Sequence, residues 1–334
     1  MIPDPTPHAA PRIGLLSNPH SRRNRARLAA IGRIVANHPR IHHRVTESAD
    51  EIGTALQDFA DRSVDTLAIN GGDGTTAQVF TELLQQRPFE RLPSVILLPG
   101  GTTNMNAGDV GLRGSLRKAV RRMADWAASG EGAVERLRRP ILRASGAVEG
   151  KTVCGMFFGA GTIIRGIEYC HRRVHTLGLT DELGPGVVTA RTIWGIARRD
   201  PYFSAPTPMR IEIDDTEDTR EREVVLLLIT SLERLFLGLR PWWGREQAPL
   251  HCSRVEKPAR HVFRAFASVL RGRPNALASE DNGYVSHNGN EIRLWLDGAF
   301  TLDGEIYHAE SGHGPLTVDN GGFLEFIRIG RGRR

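Results

Sequence analysis

The chain has 334 residues, 40% hydrophobic and 25% charged, the composition of a globular protein of about two domains with length enough for a substantial core. Its formal net charge is +6 with pI near 9.7, and the cations are nearly all arginine, lysine standing only at 118, 151 and 257. No run approaches the ~20 apolar residues of a membrane span, Met1 to Pro11 lacks the layout of a signal peptide, and Cys154, Cys170 and Cys252 lack metal-ligand spacing and leave an odd one over; a reduced, cytoplasmic setting is therefore expected rather than a disulfide scaffold.

In chain order, Arg12 to Leu16 reads as a first strand, closed by Ser17-Asn18-Pro19-His20-Ser21. Leu28, Ile31, Ile34 and Val35 then fall at helical spacing. Ile41 to Val45 is a short strand ending at Thr46, and Ile52, Leu56, Phe59 and Ala60 mark the next helix. Asp65 to Thr76 is the stretch on which the chain is organised. An apolar strand runs into Asn70-Gly71-Gly72-Asp73-Gly74-Thr75-Thr76, and a helix continues through Gln78, Val79, Phe80, Leu83 and Leu84.

The glycines there are expected to take positive φ and to admit a ligand without Cβ interference. The helix start aims free N–H groups and the positive end of its dipole into the same space, which makes a phosphate cradle. Asp73 adds a carboxylate for Mg²⁺ or an active-site donor, and Thr75 or Thr76 can cap the helix or donate to phosphate. Ser94 to Leu98 is another buried strand, ending in a second turn, Pro99-Gly100-Gly101-Thr102-Thr103-Asn104. Two such turns at neighbouring strand ends converge on one crevice, where open α/β sheets bind ligands. Ser115 to Ala128 closes a doubly wound α/β unit.

After Gly130 the texture changes. Short, alternating apolar runs at Pro140–Ala144, Val153–Phe158, Met209–Ile213, Val224–Ser231, Leu250–Val255, Ile292–Leu296, Phe300–Leu302 and Glu305–His308 predict strands of a β-rich, sandwich-like domain. His287-Asn288-Gly289-Asn290 and Leu296-Asp297-Gly298 read as hairpin signals. Helices are expected over Ile163–His175 and Val187–Arg198, and Thr176–Gly186 as a loop that could gate a cleft. The expected domains are 10–137 and 138–315, with 316–330, and the strand Phe323–Ile329 in it, returning to complete the first. Most arginines read as solvated; Arg22, Arg23, Arg25, Arg27 and the tail Arg328, Arg331, Arg333, Arg334 would suit anionic headgroups. Phe236, Trp242 and Trp243 suit either a lipid-tail cleft or, more readily, core packing. No nucleic-acid module is present.

These motifs resemble the diacylglycerol kinase catalytic family, specifically the bacterial soluble lipid kinases related to sphingosine and ceramide kinases. The resemblance rests on Asn18-Pro19, Thr46, Gly71-Gly72-Asp73-Gly74-Thr75, Pro99 to Asn104, Phe157 to Gly161 and Leu302-Asp303-Gly304-Glu305, in family order. It implies an NAD kinase/diacylglycerol kinase-like α/β domain plus the β-rich domain, and an ATP site between them. On that resemblance Asn18, Thr46, Gly71, Gly72, Gly74, Thr75, Gly101, Thr102 and Asn104 match nucleotide-contacting positions and Asp73 the Mg²⁺ network. Glu305 matches the general base that takes the proton from a lipid hydroxyl as it attacks the γ-phosphoryl of ATP. The acceptor it implies is diacylglycerol or a similar long-chain alcohol, met by peripheral association with the inner face of the membrane; a homodimer through the second domain is a further expectation. Met105 stands where the family usually has Asp, with Asp109 one turn on as a substitute, and the residue after Asn18-Pro19-His20-Ser21 is Arg22 rather than Gly. NAD kinase-type transfer and a catalytically degenerate nucleotide- or lipid-binding relative are the alternatives.

Overall fold

The computed structural model describes residues 10–146, 151–177, 184–214 and 216–330, without the side chains of 170–190. The chain divides into two compact units, Met1–Arg139 with Phe323–Arg334, and Pro140–Gly322. The middle of the expected gating loop, 178–183, lies outside the described residues, as do the tail arginines 331, 333 and 334.

The first unit runs β1 (Ile13–Ser17), α1 (Leu28–Val35), β2 (Ile41–Val45), α2 (Ala49–Asp61), β3 (Thr66–Gly71), α3 (Asp73–Gln85), β4 (Ser94–Pro99), α4 (Met105–Val110) and α5 (Leu116–Ser129). The strands are parallel in the order β4-β3-β1-β2, with Ile13 opposite both Ile41 and Thr66, and Thr66 opposite Ser94. Every residue of β1 and β3 is buried, as expected where crossover helices cover both sheet faces. Because the strands are parallel and in register, Ser17, Asn70 and Leu98 end side by side, and the turns that follow share one edge.

The helices bury the stripe their spacing predicts. α5 sinks Leu116, Ala119, Val120, Met123 and Ala127 and stops at Gly130, whose φ of 72° lets its N–H cap the Trp126 carbonyl. Each large side chain in that stripe contributes roughly 1.5–3 kcal/mol on burial.

The second unit holds β6 (Val153–Gly155), β7 (Phe157–Gly161), α6 (Thr162–Leu177), α7 (Gly184–Ala197), α8 (Pro201–Ser204), β8 (Thr207–Ile213), β9 (Glu221–Thr230), β10 (Leu250–Glu256), α9 (Val262–Val269), β11 (Tyr284–Gly289), β12 (Glu291–Leu296), β13 (Gly298–Leu302) and β14 (Glu305–Ala309). Two strands, β5 (Val134–Ser145) and β15 (Leu316–Ile329), run from one unit into the other. Within the first unit Phe326 of β15 pairs parallel with Val95.

Strand β9 gives the second unit its sandwich-like form. Residues Leu226 to Thr230 lie between β7 and β10, whereas Glu221 to Val224 pair with β8. One sheet therefore runs β14-β13-β7-β9-β10-β11 and the other β9-β8-β12-β15-β5-β6, and β9 turns the corner between them. Phe158, Leu227 and Phe300 from the first sheet meet Ile211, Leu294 and Val318 from the second in one buried core. A separate cluster packs α7, α8 and α9 over β9 to β11 through Ile196, Phe203, Val225, Phe266 and Tyr284.

Both expected hairpins are corrected. β11 pairs with β10, and β12 with β8 and β15, so Asn288-Gly289 closes a strand without folding it back on its successor. Asp297 likewise joins strands with different partners; its carboxylate accepts from the Ser311 amide at 2.6 Å and hydroxyl at 2.9 Å. Local turn chemistry was present at both places, and sheet-to-sheet packing decided the pairing. Trp243 packs against the helical cluster and Trp242 stacks on His251 at 5.0 Å, the core alternative for that aromatic group. Among the described residues no helix is long and apolar enough to cross a membrane.

Candidate functional site

The two glycine turns of the first unit face each other at the ends of β3 and β4. A Cβ on Gly101 would lie 2.5 Å from the Gly72 Cα, and one on Gly100 would lie 2.6 Å from the Asn70 Oδ1. Gly71 is closed in the same way by the Thr75 side chain at 2.6 Å. None of Gly71, Gly72, Gly100 or Gly101 takes a positive φ, and Gly72 sits at −89°. The expectation that they supply left-handed backbone is therefore corrected: these glycines let two turns pack on each other.

Asp73 fastens the turns together. One carboxylate oxygen accepts the Met105 amide at 3.0 Å and the other the Asn106 amide at 3.1 Å. Those amides belong to the first turn of α4, whose free donors Asp73 satisfies from a neighbouring turn. Burial pushes the Asp73 carboxyl up, and the two amide bonds pull it partly back. Asn104, at φ 50°, closes its own loop by accepting the Gly101 amide and donating to the Gly101 carbonyl, both at 2.7 Å. Met105 takes part through its main chain, so a side chain other than Asp leaves this fastening intact. Asp109, one turn on, is 1% exposed and lies 4.0 Å from Arg139.

Helix α3 begins at Gly72 with no side-chain cap, and its first i→i−4 bond is donated by Thr76 to the Gly72 carbonyl at 3.0 Å. The amides of Asp73, Gly74 and Thr75 precede that bond and point along the helix start. Asn18 donates to the Thr75 Oγ1 at 2.8 Å, which leaves the Thr75 hydroxyl proton for a further acceptor. Thr46 is buried beside this edge, its amide donating to the Ser17 carbonyl at 3.0 Å. Thr102 is half-buried at the second turn. The structure thus gathers Asn18, Thr46, Gly71, Gly72, Asp73, Gly74, Thr75, Gly101, Thr102 and Asn104 at one edge of one sheet.

A layer that the sequence reading missed lies beneath. Asn24, fully buried, donates to the carbonyls of Asn18 at 2.8 Å and Asn70 at 2.9 Å. Asn70 donates to the Ser17 Oγ at 3.0 Å, and His43 Nε2 meets that oxygen at 2.9 Å. The signal available was a polar residue, Asn70 or Ser17, closing an otherwise apolar strand.

Glu305 belongs to the second unit. Asp303 at φ 49° and Gly304 at φ 93° form the two-residue turn of the β13–β14 hairpin, and Glu305, opposite Leu302, opens β14 exposed to solvent. Asp303 is 4% exposed and accepts the amides of Met156 at 3.1 Å and Phe157 at 3.0 Å, which holds the hairpin against β7.

Among the described residues no group of three or more His, Cys, Asp or Glu is placed to hold a metal ion. The one carboxylate within the two glycine turns is that of Asp73, and its burial disfavours an uncompensated negative charge. That donor set fits Mg²⁺ carried by phosphates, which is characteristically held by one or two carboxylates and water.

Residues 12–130 match the diacylglycerol kinase catalytic domain. A curated relative from Enterobacter sp. (strain 638), "Probable lipid kinase YegS-like", is 33% identical over 110 residues, 33% of this chain and 36% of its own length. The aligned stretch thus spans about a third of that relative. A solved diacylglycerol kinase from Bacillus anthracis str. Sterne superposes with TM-score 0.57 at 18% identity, over 96% of this chain and 97% of its own. Another solved chain from that organism gives TM-score 0.64 at 19% identity with the same coverage, and at such identities the likeness is one of fold. The family match is thus carried by residues 12–130, the parallel α/β stretch that holds both glycine turns.

Proposed function

We propose that the protein is an ATP-dependent lipid kinase that phosphorylates a hydroxyl of diacylglycerol or a similar long-chain lipid alcohol. The observation that carries this reading is the pair of glycine turns packed on each other and fastened by Asp73 at the start of α3. Phosphoryl transfer needs positioning and charge neutralisation more than covalent chemistry, and a rigid turn with forward-pointing amides supplies both.

In this reading the Asp73, Gly74 and Thr75 amides receive the nucleotide phosphates, and the Thr75 hydroxyl adds a donor oriented by Asn18. Gly71, Gly72 and Gly101 keep side chains out of the turn, while Thr46, Thr102 and Asn104 shape its edge. Asp73 would hold Mg²⁺, which neutralises phosphate charge when bound. Glu305 takes the proton from the lipid hydroxyl; the new O–P bond forms as the bond from the γ-phosphorus to the bridging oxygen breaks and ADP leaves. The main-chain role of Met105 supports catalysis over a degenerate binding protein.

The test is incubation with radiolabelled ATP, Mg²⁺ and a total lipid extract in mixed micelles, followed by lipid separation. Glu305→Gln is expected to lower lipid labelling ~10²-fold or more with ATP binding retained. A Glu305→Gln protein with full activity rejects the assigned base. A wild-type lane with no labelled lipid, alongside conversion of NAD to NADP, moves the assignment to NAD.

A further inference from the structure

Several arginines of the second unit are paired with carboxylates. Arg222 lies on Asp218 and Glu256, Arg143 on Asp319, Arg191 on Asp200 and Arg254 on Glu256. Other arginines gather on one face without such partners. Where the end of α7 meets the start of α9, Arg198, Arg199, Arg260 and Arg264 are all exposed, and none of the four stands in a salt bridge among the described residues. Arg199, Arg260, His261 and Arg264 line a groove of about 550 Å³ with no carboxylate in its lining.

Two large aromatic rings stand on the same face. Helix α9 buries Val262, Ala265, Phe266 and Val269, and Phe263 points the other way with 52% of its surface exposed. Trp194 of α7, 50% exposed, meets it edge to face with ring centres 5.6 Å apart. The Arg198 guanidinium lies 4.8 Å above the indole. Packing within the fold accounts for neither ring, since the stripes of α7 and α9 are already buried against β9 to β11. Tryptophan and phenylalanine flanked by arginine form the amphipathic surface that suits the headgroup level of a bilayer, and uncompensated cations are drawn to anionic lipid.

We propose that the face formed by Trp194, Phe263, Arg198, Arg199, Arg260 and Arg264 docks on an anionic bilayer. The two rings enter the interfacial region while the arginines lie over headgroup phosphates. The choice of a bilayer over other anionic surfaces rests on the lipid-kinase reading; the clustering of rings and unpaired cations stands without it.

The test is sedimentation of the full chain with vesicles of phosphatidylcholine, with or without phosphatidylglycerol, and with no nucleotide present. Wild-type protein is expected to bind the phosphatidylglycerol vesicles and to leave them as salt is raised. Arg260→Gln with Arg264→Gln lowers the partition ~25-fold, about fivefold per cation. Trp194→Ser with Phe263→Ser lowers it roughly tenfold or more. Leu237→Ser, an exposed apolar residue outside the face, binds as wild type does. All of these positions are exposed, so unchanged thermal midpoints confirm that each variant folds.

Equal binding of wild type and both double variants overturns the proposal, as does equal binding to phosphatidylcholine alone. A dimer that dissociates on Trp194→Ser with Phe263→Ser also overturns it, in favour of a second copy covering the face. Vesicle binding without lipid phosphorylation keeps the docking face and discards the kinase. Phosphorylation of a dispersed short-chain diacylglycerol without vesicle binding does the reverse.

Discussion

Each unit of the protein fastens a turn with one aspartate, and the two fastenings differ in what they leave open. Asp303 is buried, its carboxylate holds the Met156 and Phe157 amides, and its own amide donates to the Phe157 carbonyl at 2.8 Å. All three bonds join one strand to the next, and the result is a closed sheet. Asp73 also takes two amides, yet those amides start a helix, and the turn in front of them is walled by glycine rather than side chains. The same chemistry completes a sheet in one unit and holds an open edge of helix-start amides in the other.

The comparison breaks most sharply at Asp303. Asp303→Ala strands the amides of Met156 and Phe157 and places alanine at φ 49°, so a loss of about 4 kcal/mol is expected. Asp303→Asn keeps an acceptor and tolerates that backbone, and about half the loss follows. Urea unfolding with an unchanged m-value reads both. A loss below about 1 kcal/mol for Asp303→Ala would show the bonds to be incidental.

Glycine separates the two regions more cleanly. Gly101→Ala drives a Cβ against the Gly72 backbone at 2.5 Å, and Gly155→Ala drives one against the Asp303 Oδ2 at 2.8 Å. Each should cost about 2 kcal/mol. Only Gly101→Ala should also weaken ATP binding, measured by titration calorimetry, because only that turn belongs to the proposed nucleotide site. Equal affinities in the two variants would place the nucleotide elsewhere. At Asp73 the balance reverses: burial already disfavours its charge, so Asp73→Asn should cost about 1 kcal/mol of stability. In the proposed Mg²⁺-dependent lipid phosphorylation its activity should fall roughly tenfold or more. A stability loss as large as that of Asp303→Ala would erase the distinction between the two fastenings.

The same contrast explains what the sequence revealed. The parallel strands and both glycine turns of the first unit were legible because period and turn chemistry are local: Thr66 to Thr76 carries strand, turn and helix in one run. The α/β class and the β-rich second unit followed from texture. The partners of β11 and β12 were not legible, since Asn288-Gly289 advertises a hairpin and only sheet packing overrides it. Nor was the reason for the glycines, because Gly72 and Gly101 constrain each other across 29 positions of chain. Asn24 and the α9 face were invisible for a related reason: burial of one and exposure of the other depend on distant segments.

The smallest effect tests the layer beneath the open edge. Ser17 Oγ accepts from Asn70 and meets His43 Nε2, so the neutral ring can accept the Ser17 proton. A protonated ring would turn a second donor on that oxygen and leave the hydroxyl proton to find a new acceptor. Burial holds the His43 pKa below its ordinary 6.5, and the sign follows from which state binds the proton first. Above 6.5 both folded and unfolded chains carry a neutral ring, and His43 adds no pH dependence. As the pH falls below 6.5 the unfolded chain takes up the proton first, so stability declines until the folded ring titrates too. His43→Gln should remove that share of the acid decline, seen as a shallower fall in urea midpoint than wild type. The second unit offers the contrast, because Asp218, held down by Arg220 and Arg222, keeps its charge throughout this range. Parallel acid declines in wild type and His43→Gln would mean that the ring is not seated in this network, and Asn70 would then hold the glycine turn without it.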